Sequence, residues 1–452
     1  MRLQVNEMDL EGFAKRKLRE GEADSRIIAE LCNRIVEIKR DRITKENAEE
    51  IAEAVLEESK ITLDYNDELI TELKSDVRMG ELGVGSRGAG DFYAHEKIGE
   101  LIGATGAVVD SSSLSDSGVV RLPEGSKGKL IVVTVDGMHS RLSDFPFLAG
   151  FHVARAALRD VYVMGATPVA LLSDIHVADD GDVAKIFDHI AGISAVSDAA
   201  GVPLVTGSTL RIGGDVVIGE RMTGCVGAVG VADTVVTREG AKEGDVILMS
   251  EGAGGGTITT AALYYGEPEV VRETMNIKFL TACNALIKED MVKKVHLMTD
   301  VTNGGIRGDA NEIAKVSHVK LVFHEDRIRA LVNKKVLAML KRRAIDYLGV
   351  SIDALLVICP VEVAESVKAV VRGAKVQIGE IGQVVAGEGA EIVVDGGSRD
   401  FVPKFRESAY TPIKKVVGES GGDFEAMKRK VDKAVEEAVR KKDKVKRFLE
   451  SL

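Results

Sequence analysis

The stretch from Leu130 to Ala178 constrains this chain most, because two apolar runs there each end at an acid and flank a helical segment that carries a third. The first run, Leu130-Ile131-Val132-Val133-Thr134-Val135, is rich in β-branched residues and stops at Asp136-Gly137. That pattern predicts a buried strand with a carboxylate at its C-terminal end. Beyond Pro146, apolar residues at helical spacing predict a helix over Ala149 to Met164, with Arg159-Asp160 inside it. Pro168 then opens a second strand, Val169 to Leu172, which runs into Asp174 and His176. In α/β proteins ligands bind at the carboxyl ends of strands. Carboxylates gathered there suit Mg²⁺, which takes oxygen ligands and bridges to phosphates. A metal-bound, phosphorylated ligand is expected.

Size and charge narrow the alternatives. The 452 residues exceed one ordinary core, so two domains with extensions are expected. A net charge of −11 argues against a nucleic-acid surface. No apolar run reaches the roughly 18 to 20 residues that span a bilayer. The segment Met1 to Glu7 lacks the apolar stretch of a signal peptide, which predicts a cytoplasmic protein. Cys32, Cys225, Cys283 and Cys359 are far apart and form no C-x-x-C pair, so reduced, buried thiols are expected rather than zinc or disulfides.

By texture the chain divides into four parts. Residues 1–78 are charged and helical, with Asp24 and Thr44 as helix caps and Ile27, Ile28, Leu31, Ile35 and Ile38 on one apolar face. Residues 79–233 are glycine-rich and alternate strands with helices. A polar connection over 234–245 leads into a second α/β unit, 246–394, whose first strand is Val246 to Ser250. The tail, 395–452, ends in a charged helix from Phe424 to Leu449, read as a solvated face.

Five segments are candidates for a site, each with a plainer alternative. Gly83-Val84-Gly85-Ser86-Arg87-Gly88 matches G-x-G-x-x-G, but no strand precedes it; it is a loop covering phosphates or simply a flexible loop. Asp116, before a strand at Val119, reads alone as a turn-capping acid. Asp136, Asp160, Asp174 and His176 fall in one strand–helix–strand unit, where any single one reads as a cap or surface charge. His139 and His176 are acid–base candidates or solvent-facing groups. The run Val202 to Val205 reads as a buried strand ending in Thr206-Gly207-Ser208-Thr209, which suits phosphate contacts or an ordinary turn. The fifth, Leu297 to Asp300 followed by Val301-Thr302-Asn303-Gly304-Gly305, ends a strand at an acid and starts a helix through Asn311-Glu312-Ile313-Ala314; helix N-termini attract anions. Gly252 to Gly256 reads instead as a close-packed helix start. Gly128-Lys129-Leu130 lacks the Ser or Thr of a P-loop, so any nucleotide would be held by carboxylate-bound metal and a loop.

In order, these segments resemble the superfamily of aminoimidazole ribonucleotide synthetase, selenophosphate synthetase, thiamine-monophosphate kinase and the carbamoyl-dehydrating hydrogenase maturation factor. Ala157 to Pro168 resembles the family's central helix, closest to the selenophosphate branch. Ser115-Asp116-Ser117-Gly118-Val119 resembles Asp-Asp-Ala-Ala-Val, and Thr134-Val135-Asp136 the strand and acid that follow. Thr206 to Thr209 resembles a Gly-Asp-Thr or Gly-Glu-Thr turn, and Asp300 to Gly305 the Asp-x-Thr-x-Gly-Gly motif. Asn311-Glu312-Ile313-Ala314 matches the hydrogenase-factor version.

The resemblance spans about residues 82 to 395 and implies a two-domain α/β fold. In that fold the N-terminal domain forms a β-barrel across a homodimer and the C-terminal domain is an α/β sandwich. The helical ends lie outside it. It also implies an ATP- and Mg²⁺-dependent enzyme that phosphorylates an oxygen or a selenide of a small cytosolic substrate. On that reading Asp116, Asp136, Asp160 and Asp300 hold metal, and Asp136, Asp160 and Asp300 form the catalytic group. Nucleotide contacts fall to Gly85, Arg87, Gly88, Arg159, Thr206, Gly207, Ser208, Thr209, Asn303 and Gly304. Several residues depart from the family pattern. Ser86 and Arg87 stand near the position of the selenophosphate enzymes' Cys and Lys, and Ser115 and Ser208 replace acids. Arg159 stands where several branches have Asn, and the C-terminal Cys of the hydrogenase factor is absent from Glu450-Ser451-Leu452. The other reading is a nucleotide-binding assembly factor without turnover.

Overall fold

A computed structural model describes residues 9–61, 63, 75, 77, 82, 88–102, 108–109, 115, 117–121, 130–178, 181–211, 220–302, 304–407 and 409–452. Three helices come first: α1 (Leu10–Arg19), α2 (Asp24–Lys39) and α3 (Lys45–Ile61). Phe13, Ile27, Leu31, Ile35, Ala52 and Leu56 close on one another as a separate core. The Thr44 hydroxyl accepts from the Asn47 amide at 3.2 Å and caps α3, as the sequence predicts. Asp24 departs from its expected place. Ala23 holds the cap position, and Asp24 is the first helical residue, paired with Lys60.

After α4 (Ala89–Ile102) comes a five-stranded sheet: β1 (Gly118–Arg121), β2 (Leu130–Gly137), β3 (Thr167–Val177), β4 (Leu204–Arg211) and β5 (Met222–Ala232). Their spatial order is β1-β2-β5-β3-β4, antiparallel except for the parallel pair β3–β4. The helix α5 (Pro146–Val163) joins β2 to β3, and α6 (Ala184–Ala200) joins β3 to β4. Both β3 and β4 outrun the apolar runs that announce them. Leu172-Ser173-Asp174-Ile175-His176 simply alternates inward and outward, and alternation is what a half-covered strand requires. Val132, Leu171, Ile175, Val226 and Ala228 pack beneath α5, whereas Val133, Val135, Val169, Leu172 and Val205 are exposed.

The second sheet has seven strands: β6 (Val246–Ser250), β7 (Leu297–Asp300), β8 (Lys320–His324), β9 (Leu355–Cys359), β10 (Ile378–Val385), β11 (Gly389–Val394) and β12 (Gly397–Asp400). Its order is β12-β11-β8-β10-β6-β9-β7, parallel only between β8 and β11. Between the strands lie α7 (Gly256–Tyr264), α8 (Pro268–Thr274), α9 (Lys278–Lys288), α10 (Gly305–Ser317), α11 (Glu325–Leu331), α12 (Lys334–Arg342) and α13 (Val361–Gly373). Both faces are covered. Leu248, Leu355 and Val357 share the first unit's core with Phe279 of α9 and Val367 of α13. Ile247, Leu356 and Ile358 pack on Ile306 and Ile313 of α10 and Ile328 of α11. The unbroken apolar runs of β6 and β9 reflect this double burial.

The sheet also passes the expected boundary near Val394. Asp395 and Gly396 take φ of 51° and 81° between the paired residues Val394 and Gly397. This two-residue Asp-Gly hairpin carries the sheet on to Asp400. Then follow α14 (Pro412–Val417) and α15 (Phe424–Glu450). The start of α15 docks on α4, with Tyr93 edge-on to Phe424 and Lys97 2.9 Å from Asp432. Among the described residues no helix is long and apolar enough to cross a membrane.

Candidate functional site

The site forms where α5 lies between the two sheets. Arg155 and Arg159 are four residues apart, so they share one face of this buried helix. Arg155 donates to the carbonyls of Thr274 and Asn276, each at 2.7 Å, and of Gly254 at 3.1 Å, and pairs with Asp353 at 2.9 Å. Arg159 bridges Asp353, at 2.7 Å, and Asp300, and its Nε lies 3.7 Å from Asp160. Strand pairing explains the meeting. The end of β7 sits beside the start of β9, with Asp300 opposite Leu355, so Asp353 arrives just ahead of β9. Asp353 turns into its strand with φ of 53°, a left-handed conformation that Asp tolerates better than most residues.

A second guanidinium cluster adjoins the first. Arg238, in the connection between the sheets, pairs with Glu312 and lies 3.2 Å from Asp309 of α10. It also donates to the Thr299 hydroxyl at 3.0 Å and lies 4.0 Å from Asp300. On the first sheet's side, Thr134 of β2 donates to Asp160 at 3.3 Å, and Ser117 donates to the Asp160 carbonyl at 2.8 Å. Asp136 is two residues beyond Thr134 on β2 and so shares its face. Burial opposes the charge on Arg159, but Asp300, Asp353, Asp160 and Asp136 outweigh it and hold its pKa well above the ordinary value. Burial would likewise raise the Asp353 carboxyl, yet Arg155 and Arg159 keep it below the usual range. Burial lowers the pKa of Arg155, with Asp353 opposing.

Glycine provides the close approaches here. Gly304 and Gly305 take φ of 94° and 61°, and a Cβ on Gly305 would meet the Leu348 carbonyl at 2.3 Å. A Cβ on Gly252 would lie 2.4 Å from the Ile352 carbonyl, in keeping with a close-packed helix start before α7.

The structure thus brings Asp136, Asp160, Asp300 and Arg159 together, and Gly304 caps the start of α10 four residues after Asp300. Asp116, Gly85, Arg87 and Asn303 lie outside the described residues. Gly88 goes elsewhere: its Cα is held against the C-terminal segment, where a Cβ would sit 2.1 Å from the Phe405 carbonyl. Thr206, Gly207, Ser208 and Thr209 do not form a turn. They lie inside β4, exposed, in register with Leu172 to Ile175 of β3. Three strand spacings, roughly 14 Å, separate β4 from β2. Asp174 and His176 pair with each other at 3.1 Å on the uncovered face of the first sheet, away from α5. His139 is enclosed, bonded to Tyr410 at 2.9 Å and Thr260 at 3.2 Å. Asp353, Arg155, Arg238 and Asp309 belong to the cluster and carry no motif. The available signal for Asp353 was an acid directly ahead of the apolar run Leu355 to Cys359.

Comparison with known proteins agrees with this architecture. Residues 114–232 match the AIR synthase related protein N-terminal domain, and residues 242–395 match its C-terminal domain. The chain belongs to the AIR synthase related family. It is 52% identical over 455 residues to the uncharacterized protein MJ1416 of Methanocaldococcus jannaschii, covering 98% of each. It is 29% identical over 236 residues to the selenide, water dikinase of Myxococcus xanthus, covering 51% of this chain and 64% of that enzyme. The crystal structure of hydrogenase maturation protein HypE in complex with ATP superposes with a TM-score of 0.53 at 22% identity, over 63% of this chain and 87% of HypE. The two-sheet fold is therefore shared with HypE.

Proposed function

We propose that the chain binds ATP with Mg²⁺ at the junction of α5 and the two sheets and transfers the terminal phosphoryl group to an oxygen of a small cytosolic substrate. The observation that carries this reading is the convergence of Asp136, Asp160 and Asp300 on Arg159. The family membership and the ATP-bound HypE fold support it.

The donors at the junction decide where magnesium fits. Mg²⁺ is commonly held by one or two carboxylates together with substrate phosphates. Arg155, Arg159 and Arg238 face six carboxylates: Asp136, Asp160, Asp300, Asp309, Glu312 and Asp353. The closest guanidinium contacts fall on Asp300, Asp309, Glu312 and Asp353, while Asp136 on β2 and Asp160, 3.7 Å from the Arg159 Nε, stand on the side of the first sheet. These two fit the metal, with Asp116 joining them by its motif. Asp300 does not fit, since it is 2% exposed and lies against Arg159, with Arg238 4.0 Å away. Once bound, Mg²⁺ would offset the roughly four negative charges of a triphosphate. The protein's own part is orientation. Thr134 and Ser117 fix Asp160 by its carboxylate and its carbonyl, and Arg159 fixes the distance between α5 and β7.

Calorimetry with a non-hydrolysable ATP analogue, with and without Mg²⁺, tests the binding. Turnover with a metabolite extract should yield ADP and a phosphorylated product; AMP with pyrophosphate would mean attack at another phosphorus. A second reading, a nucleotide-binding assembly factor without turnover, is favoured by the guanidiniums filling the Asp300 side of the cluster. We also propose a homodimer closed over the exposed valines of the first sheet, and a cytoplasmic location.

A further inference from the structure

We propose that the guanidinium of Arg159 is the resident cation of Asp300, so that Asp300 is a structural ion-pair partner and not a metal ligand in this chain. The inference deepens the reading above and rests on it only for the metal at Asp136 and Asp160. Three observations carry it. First, Arg159 lies between two carboxylates, Asp300 at the end of β7 and Asp353 just ahead of β9: a terminal nitrogen donates to Asp353 at 2.7 Å and the Nε side is in ion-pair contact with Asp300, so one delocalised cation serves both acids. Second, it cannot easily leave: its side chain is 10% exposed, Asp353 is held on its other side by Arg155, and the Phe279 ring lies 5.9 Å away. Third, the other Asp300 oxygen lies 4.0 Å from Arg238, so a divalent ion placed here would face two fixed positive charges. Among the described residues no three of His, Cys, Asp and Glu are arranged to hold a metal ion.

A motif of the form Asp-x-Thr-x-Gly-Gly can therefore persist while the work of its acid changes. Asp300 would tie β7 to α5 through Arg159, and the metal would move wholly to the β2 side. Opening the Asp300 side then takes one substitution, Arg159→Asn, which removes the cation and leaves space and charge for a divalent ion.

The test counts Mn²⁺ bound to the full-length protein without nucleotide, by titration followed by electron paramagnetic resonance. The wild type and Asp300→Asn should bind the same number of ions with similar affinity, where loss of a supporting group at a real metal site costs about tenfold or more. Arg159→Asn should gain one site that the double variant Arg159→Asn/Asp300→Asn lacks, while Arg159→Lys keeps the wild-type count. A lower count in Asp300→Asn, or no gain in folded Arg159→Asn, overturns the proposal. Should Arg159→Asn fail to fold, the Asp300→Asn count decides alone. Loss of Mn²⁺ in Asp136→Asn is a separate readout of the β2-side metal. A wild type that binds no Mn²⁺ counts against that metal, while the gain in Arg159→Asn still decides this inference.

Discussion

The two sheets of this protein treat their faces differently. The seven-stranded sheet is covered on both sides, and its central strands β6 and β9 are buried at every residue. Among the described residues the five-stranded sheet is covered by α5 and α6 on one side, and Val133, Val135, Val169, Leu172 and Val205 are exposed on the other. Similar apolar runs thus have two fates. A run without alternation tells of strand and burial, but whether the second face meets a helix of the same chain is decided by connections elsewhere. The junction between the sheets follows the closed pattern, since its charges are wrapped within one chain.

The largest effect is expected where the closed pattern holds a charge. Asp353→Asn removes one partner of Arg155 and Arg159 and leaves buried positive charge uncompensated. Such losses cost about 3–5 kcal/mol. Urea unfolding at neutral pH measures it, and a cost under about 1 kcal/mol, the scale of exposed pairs, would show that water reaches the junction. Next comes Leu356→Ala in β9, fully buried among Ile247, Ile358 and Ile313. A loss of about 2–5 kcal/mol is expected there.

The third effect concerns the strap that the C-terminal segment lays across both units. Lys414 donates to the Tyr410 oxygen at 2.8 Å, and the Tyr410 hydroxyl donates to His139 Nε2 at 2.9 Å. The Thr260 hydroxyl gives its proton to the Gly256 carbonyl, so it accepts from His139 Nδ1. The chain of donors requires a neutral imidazole. Burial, then Lys414 and Arg141, push the His139 pKa from 6.5 down to about 4. The unfolded chain therefore binds the extra proton between those values, and stability present above pH 6.5 is lost as pH falls toward 4. His139→Gln should flatten that slope in urea melts at pH 7 and pH 5, which are test conditions spanning about the window of an ordinary histidine. Tyr410→Phe strips the bonding partner from His139 and should cost about 1–3 kcal/mol.

Much of this was legible in the sequence. The acids Asp136 and Asp300 close apolar runs, and Asp160 sits on a helix between two strands; periodicity puts Asp136 and Asp160 in one strand–helix–strand unit, and only the family resemblance joins Asp300, from the other sheet, to them. Asp353 escaped because it precedes its strand. A rule that looks to carboxyl ends assumes parallel strands, whereas β7 and β9 are antiparallel and join an end to a beginning. Arg155 and Arg238 escaped because sequence does not tell a buried, paired guanidinium from a solvated one. Asp174 and His176 were grouped with the site by nearness along the chain, and the alternation of β3 turns them to the uncovered face. Asp395-Gly396 is a turn signal that reads equally as a domain end or as a hairpin, and strand pairing beyond it decides for the hairpin.

The smallest change in unfolding energy, and the most direct test of the comparison, is expected from Val135→Asp. Val135 is 64% exposed on β2, so a charge there disturbs little that the single chain buries, and the unfolding free energy of the monomer should move by no more than about 0.5 kcal/mol. In a homodimer closed over this face the same aspartate would be buried without a partner, and the dimer should dissociate. Light scattering at low micromolar concentration separates the cases. A wild-type mass near twice the 48.4 kDa of one chain, falling to one chain in the variant, fits a sheet that finishes its core with a second copy. A wild type already at one chain would mean that the uncovered face is tolerated in solution. The difference between the sheets would then be one of coverage within the fold and not of assembly.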